Sequence, residues 1–252
     1  MSRFAIVSYS LLGYAVGLAG LTAFMLFVGG FAVPYRIDAE PTRALPLALA
    51  VNAGLLLLFG LQHSVMARKS FKSLFANYLP AAAERSTYVL LSGVVTLLLC
   101  FGWQPIAGVV WQVDFPLVST LLTTLQWSGW ALAVAATFML SHQEMFGLQQ
   151  AFAHATNRTA SPPAFNDRWG YSLVRHPIQL GVLIGIWVTP FMSVSHLLLS
   201  IGLTTYIFIG LALEERDLVA DFGDDYRDYQ RRVRRLMPVP RWTADKQEAL
   251  AR

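Results

Sequence analysis

An all-α protein threaded through a lipid bilayer is implied by three features of this chain. Its 252 residues are 55% hydrophobic and only 13% charged, against about 25% charged in an ordinary soluble domain. Its mean hydropathy is +0.49. Its apolar residues also gather into runs that approach or exceed the roughly 20 residues needed to cross a bilayer. A surface so poor in charge needs lipid as its solvent, and no segment offers a second, soluble domain.

The runs recur at 11–33, 45–66, 88–110, 117–140, 178–192 and 194–213. The first follows a single basic residue, Arg3, and continues well beyond the short apolar core of a cleaved leader, so it reads as a retained first helix. The next three are full-length spans. The third holds Cys100, the one cysteine, which excludes an intramolecular disulfide or a multi-cysteine metal site and reads as a small buried apolar residue. The fifth run is short and is separated from the sixth by Pro190, Phe191, Met192 and Ser193. These two read as a helical hairpin, with Pro190 ending its first arm. The expectation is one membrane domain over 1–252 with five to six transmembrane helices. Four spans occupy 1–140, and 141–242 forms a cofactor-binding region with the hairpin and a cytoplasmic helix. Asn157 to Asp167 is rich in turn formers, and Thr243 to Arg252 reads as a frayed tail.

Lysines and arginines in the loops orient such a chain. The 66–87 loop carries Arg68, Lys69, Lys72 and Arg85, whereas the 104–116 loop has no basic residue. Arg158, Arg168 and Arg175 precede the hairpin, and the tail after Leu213 is arginine-rich. Six spans with both termini cytoplasmic fit this distribution, although Arg36 and Arg43 in the first outer loop run against it. The net charge of +4 and pI near 9.4 then follow from juxtamembrane arginines and call for no nucleic acid.

The chemistry gathers in the carboxyl-terminal half. From Ser141 to Gln150 the chain turns suddenly polar at the end of a span, either as an interfacial helix end or as part of a site. At Arg175-His176-Pro177-Ile178-Gln179-Leu180-Gly181, Pro177 suits the first turn of a helix. Arg175 and His176 then stand beside free backbone donors that favour an anion, and Gly181 admits a bulky group close to the backbone. Glu214 and Glu215 end a long apolar helix, where adjacent carboxylates are expensive. Anionic lipid accounts for Arg231, Arg232, Arg234 and Arg235 but would repel those carboxylates. Tyr226 and Tyr229 share one stripe of a following helix, interrupted at Gly223. A hairpin joins its two ends, so Arg175, His176, Glu214 and Glu215 should cluster at the cytoplasmic surface beneath the tyrosines. Such a pocket offers donors for a carboxylate, acceptors for ribose hydroxyls or an amine, and aromatic walls for a purine, which are the parts of S-adenosylmethionine.

The order Arg-His-Pro-x-x-x-Gly, hairpin, Glu-Glu-x-x-Leu, Phe-Gly-x-x-Tyr-x-x-Tyr and Met237-Pro238 resembles the isoprenylcysteine carboxyl methyltransferase superfamily. That resemblance implies a membrane-embedded, S-adenosylmethionine-dependent methyltransferase. Gln179 stands where enzymes acting on prenylcysteine commonly carry an aromatic residue. The stretches 62–68, 84–90, 146–150 and 175–181 extend the resemblance over nearly the whole chain to bacterial methanethiol S-methyltransferases. They imply methanethiol as a small volatile thiol substrate, dimethyl sulfide as product and a bacterial inner membrane as the site of action. Arg175, His176, Pro177, Gln179, Leu180, Gly181, Glu214, Glu215, Tyr226 and Tyr229 are the cofactor-binding candidates.

The nucleophile in thiol methylation is the thiolate, and a simple alkanethiol is a weaker acid than cysteine, at about 8.5. An acceptor for its proton is therefore sought among Glu215, His142 and His63, with His176 beside them. Two other readings stay open: methylation of a larger thiol, a lipid amine or a prenylcysteine, and a non-catalytic membrane accessory protein binding haem or a metal. The five histidines, His63, His142, His154, His176 and His196, form no His-x-x-x-His pair, so metal-ligand spacing is absent and no metal is expected.

Overall fold

The structure, a computed structural model, describes residues 2–31, 36–68, 71, 73, 78–159 and 165–238. Among the described residues, five helices are long and apolar enough to cross a membrane. They are α1 (Arg3–Gly29), α2 (Leu45–Ala67), α3 (Ala81–Gly102), α4 (Pro116–Leu140) and α9 (Val194–Phe222). Between α4 and α9 come the short helices α5 (His142–Met145), α6 (Leu148–Ala155) and α7 (Gly170–Leu173), then α8 (Pro177–Trp187); α10 (Asp224–Arg232) follows α9. The chain is thus an all-α integral membrane protein. Lys69, Lys72, residues 160–164 of the turn-rich loop and the Thr243–Arg252 tail lie outside the described residues.

Several boundaries differ from the hydropathy reading. Helix α1 begins at Arg3 because the Ser2 hydroxyl accepts from the Ala5 amide at 3.2 Å, capping the first turn. Helix α3 ends at Gly102, short of 110. There Gln104 exchanges two 2.8 Å hydrogen bonds with the buried amide of Asn52 on α2, and Pro105 follows. Residues Val109–Gln112 instead form strand β1. The fifth run is helical only through Trp187.

Eleven residues make α8 about 16 Å long, half of a hydrocarbon layer of about 30 Å. Residues 188–193 complete the rise, ending in strand β2 (Phe191–Ser193), which pairs antiparallel with β1. Irregular backbone at membrane depth must find partners inside the protein. It does: Gln126 donates to the Gly185 carbonyl at 3.0 Å, Ser200 to Ile186 at 2.9 Å and Trp111 to Thr189 at 3.0 Å. The hairpin of the sequence reading is real, but its turn is a paired strand.

Small residues set the helix crossings. At Gly93 of α3 an added Cβ would lie 2.5 Å from the Val16 carbonyl oxygen, and at Gly20 of α1 it would lie 2.7 Å from that of Gly93. Helices α4 and α8 cross the same way, through Gly129 and Gly181. A core of Phe24, Phe27, Leu99, Cys100, Trp103, Trp130, Ile186, Leu199 and Leu203 fills the centre, with Cys100 a buried free thiol.

Contacts at the helix ends sort them to two faces. Ser86 at the start of α3 donates to Ser10 of α1 at 2.7 Å, Tyr14 meets His142 just past α4, and Arg68 after α2 pairs with Asp217 of α9. The other face holds β1, β2 and the Asp38–Ser193 hydrogen bond. Glu215 stands about 32 Å along α9 from Val194, where that helix leaves the hydrocarbon on the first face.

Candidate functional site

Three segments distant in sequence meet at Glu215. Pro177 occupies the first turn of α8 with His176 as its N-cap residue. The segment 174–176 lies beside 234–235 after α10: the amides of Arg175 and His176 donate to the carbonyls of Arg234 (2.9 Å) and Arg235 (3.1 Å). This pairing clamps the end of α10 over α9. Within it, Arg175 donates through Nε to Glu215 Oε1 at 2.7 Å, with Nη2 2.6 Å from the same oxygen. Its Nη1 donates to the carbonyls of Gln230 and Val233. His176 Nε2 lies 3.2 Å from Glu215 Oε1. Arg235 Nη2 reaches Glu215 Oε2 at 2.5 Å, and Gln230 Nε2 donates to that oxygen at 3.4 Å.

The cluster foreseen from sequence therefore assembles, with Arg175, His176 and Glu215 all buried. Glu214 stands half-exposed on its rim, 3.9 Å from His176 Nδ1. Two members, Gln230 and Arg235, were missed. Arg235 had been assigned to lipid, and its tie to Glu215 corrects that; Arg232 likewise faces Asp167 at 3.2 Å. Only the pairing of 234–235 with 174–176, a tertiary contact, distinguishes Arg235 from the arginines around it. A cleft of about 460 Å³, lined by Ala212, Glu215, Arg216, Val219, Gln230 and Arg235, opens beside the cluster.

The tyrosines sit differently. Tyr226 and Tyr229 are each 2% exposed and pack with Phe165, Phe222 and Val233 as the core of the clamp. Tyr229 donates to the Tyr171 carbonyl at 2.5 Å, whereas the buried Tyr226 hydroxyl has no partner among the described residues. Burial pushes all three phenols above their usual range, so they remain protonated donors. Gly181 needs correction as a cofactor contact: the space above it is filled by Gly129 O and Ala133 N of α4. Pro177 is buried, and Gln179 and Leu180 are partly exposed on α8.

The other two candidate histidines, His142 and His63, occupy separate places. His142 Nε2 lies 3.0 Å from the Tyr14 hydroxyl and Nδ1 2.8 Å from Thr137 Oγ1, with the ring stacked on Phe138 at 4.1 Å. It ties α1 to the end of α4. Its desolvation disfavours the charged ring, lowering its pKa from 6.5. The unfolded chain then takes a proton near pH 6.5 that the folded chain resists, so this contribution is full above 6.5 and is lost as pH falls below it. Thermal denaturation of detergent-solubilised protein should show that loss between about pH 7 and 5, and His142→Gln should flatten the slope. An equally steep slope in the variant would assign it to other groups. His63 stands on α2, 3.3 Å from Ser92 Oγ and stacked on Phe59.

The chain is 44% identical over 237 residues, 94% of its length and 91% of the relative's, to methanethiol S-methyltransferase 2 of Bradyrhizobium diazoefficiens. It is 45% identical to methanethiol S-methyltransferase of Pseudomonas deceptionensis, over 94% of this chain and 90% of that one. With the Mycobacterium tuberculosis methanethiol S-methyltransferase it shares 41% identity over 95% and 98%. Nurim of Pan troglodytes is 30% identical over 72% of each chain. No protein-family model and no solved structure matches the chain.

Proposed function

Because the chain belongs to the methanethiol S-methyltransferase family, we propose that it methylates methanethiol to dimethyl sulfide with S-adenosylmethionine as methyl donor. The buried Arg175–His176–Glu215 cluster, tied to Arg235 beside an open cleft, is the observation that carries this reading. The residues present fit such a donor. The cleft falls within the 300–1,000 Å³ of small-molecule sites and offers the cations of Arg216 and Arg235 and the carboxylate of Glu215, and in the clamp the buried Tyr226 hydroxyl has no partner among the described residues. When bound, S-adenosylmethionine supplies a methyl group activated by its sulfonium.

The chain's own residues divide the remaining work. Glu215 holds Arg175, His176 and Arg235 in register rather than accepting a proton, since donors already surround both its oxygens. Arg235 and Gln230 present donors at the cleft wall, and the half-exposed Glu214 supplies an acceptor at the edge of the cluster, beside His176. Holding a thiol in line with the donor removes the entropy of their encounter. Methanethiol is small and apolar, so it reaches such a site from lipid as readily as from water.

The clamp lies on the face that bears Arg68, Arg85 and Arg175, while 104–116 has no basic residue. This supports a site and termini facing the cytoplasm of a bacterial inner membrane. The α4–α8 crossing at Gly129 and Gly181 supports a single domain that joins the first four spans to the cofactor-binding region.

Detergent-purified protein given methanethiol and S-adenosylmethionine should release dimethyl sulfide into the headspace only when both are present. Donor binding without that product would redirect the substrate to a larger thiol or an amine. Absence of donor binding would overturn the reading.

A further inference from the structure

Of the three proton-acceptor candidates, two are already occupied. Glu215 accepts from Arg175, Arg235 and Gln230 and lies against His176. His142 has both ring nitrogens within hydrogen-bond distance of hydroxyls. His63 differs. Its Nδ1 lies 3.3 Å from Ser92 Oγ, and its Nε2 has no hydrogen-bond partner among the described residues. Ser92 also accepts from Gln62 Nε2 at 3.3 Å; in the tautomer whose Nδ1–H donates to Ser92 Oγ, the lone pair is on Nε2.

Aromatic rings enclose that imidazole. Phe59 stacks on it at 5.3 Å, Tyr88 of α3 tilts against it at 5.1 Å and Tyr206 of α9 meets it edge-on at 6.2 Å. His63 lies about 6 Å of helix rise below the end of α2, where Arg68 joins Asp217 at 2.8 Å. Tyr206 lies about 12 Å of rise below Glu214 on α9, and Glu214 is close enough to act electrostatically on both Tyr88 and Tyr206. These rings therefore sit beneath the rim of the Glu215 cluster. The charged groups facing them are Arg85, 4.8 Å over the Tyr88 ring, together with Glu214 and Arg68.

We infer that His63 Nε2 accepts the thiol proton and that the substrate's methyl group packs against the Phe59, Tyr88 and Tyr206 rings around it. The inference rests on the thiol-methylation reading above. The S–H bond breaks, its proton passes to Nε2, and both electrons stay on sulfur as the nucleophilic lone pair. The imidazolium so formed lies among the Phe59, Tyr88 and Tyr206 rings. It releases to water the one proton that methylation of a neutral thiol by a sulfonium must liberate.

The test joins kinetics with a measurement that needs no methyl donor. In His63→Gln, kcat/KM for methanethiol at pH 7 should fall about 10²- to 10⁴-fold, the usual range for a lost general base. It should then climb tenfold per pH unit toward the thiol's own ionisation, while wild type levels off. S-Adenosylmethionine affinity, measured by calorimetry, should be unchanged. Separately, in ¹⁵N-histidine-labelled wild-type protein without donor, methanethiol should shift one imidazole signal. Ser92→Ala, which removes the Nδ1 partner together with a Gln62 contact, should move that signal and so identify it as His63. A loss in His63→Gln that is the same at every pH, no loss at all, or a His63 signal indifferent to thiol would each overturn the assignment. Failure of wild type to bind donor would overturn the methylation reading instead, and the thiol-induced shift is read independently of it.

Discussion

Replacing Glu215 by alanine is expected to abolish methyl transfer and donor binding while leaving a protein that still inserts into the membrane. The carboxylate is the common acceptor for Arg175, Arg235 and Gln230, with His176 against it. Arg175 is 6% exposed, so the substitution leaves its charge buried without a counterion, at a cost of about 3–5 kcal/mol. The pairing of 234–235 with 174–176 loosens with it, and the cleft loses its Arg235 wall. Thermal denaturation in detergent should show the destabilisation, and calorimetry with S-adenosylmethionine should show no binding. Glu215→Gln retains the shape but not the charge, and should weaken donor affinity at least about tenfold, the equivalent of one lost charged hydrogen bond. A glutamine variant with unaltered affinity and turnover would remove Glu215 from the site.

Gly93→Leu should be more damaging still, although it lies away from the cluster. A Cβ at Gly93 would lie 2.5 Å from the Val16 carbonyl oxygen and 2.9 Å from Gly17 Cα, both backbone atoms of α1. Backbone cannot swing aside as a side chain does, so the two helices must separate. Overpacking a core costs about 1–3 kcal/mol where neighbours can yield, and here the cost should exceed that range. Separation would also pull Ser10 from Ser86 and Tyr14 from His142. Little folded protein should be recovered from membranes, as judged by gel filtration in detergent. Gly93→Ala should lie between wild type and leucine. A leucine variant with wild-type yield and melting temperature would mean that α1 and α3 do not meet as described.

The membrane helices were legible because hydropathy over 20 residues is a strong, local signal. The Arg175–His176–Glu215 meeting was legible for a related reason: a hairpin returns its far end to its start, and isolated charge in an apolar helix marks the spot. What escaped was decided by tertiary pairing. Arg235 looks like its arginine neighbours until the chain folds back beside 174–176. Val109–Gln112 reads as the tail of a span until Phe191–Ser193 arrives to pair with it. Gly181 offers a close approach, but sequence does not say whether a ligand or another helix takes it, and α4 does. His63, His142 and His176 were equivalent as residue types. Hydrogen-bond partners separate them, and those partners come from other helices.

The half-length α8 bears on how the protein is made. Eleven residues, Gln179 among them, are too few to be accepted alone by machinery that admits segments by their summed hydrophobicity, and the carbonyls at 185 and 186 need Gln126 and Ser200. Helix α8 must therefore wait at the translocon for α9 and enter with it. Its pairing strand, β1, has by then already been synthesised between α3 and α4. The order of translation thus supplies the edge that receives 191–193 before those residues exist, and the last membrane segments assemble onto a template laid down by the first four.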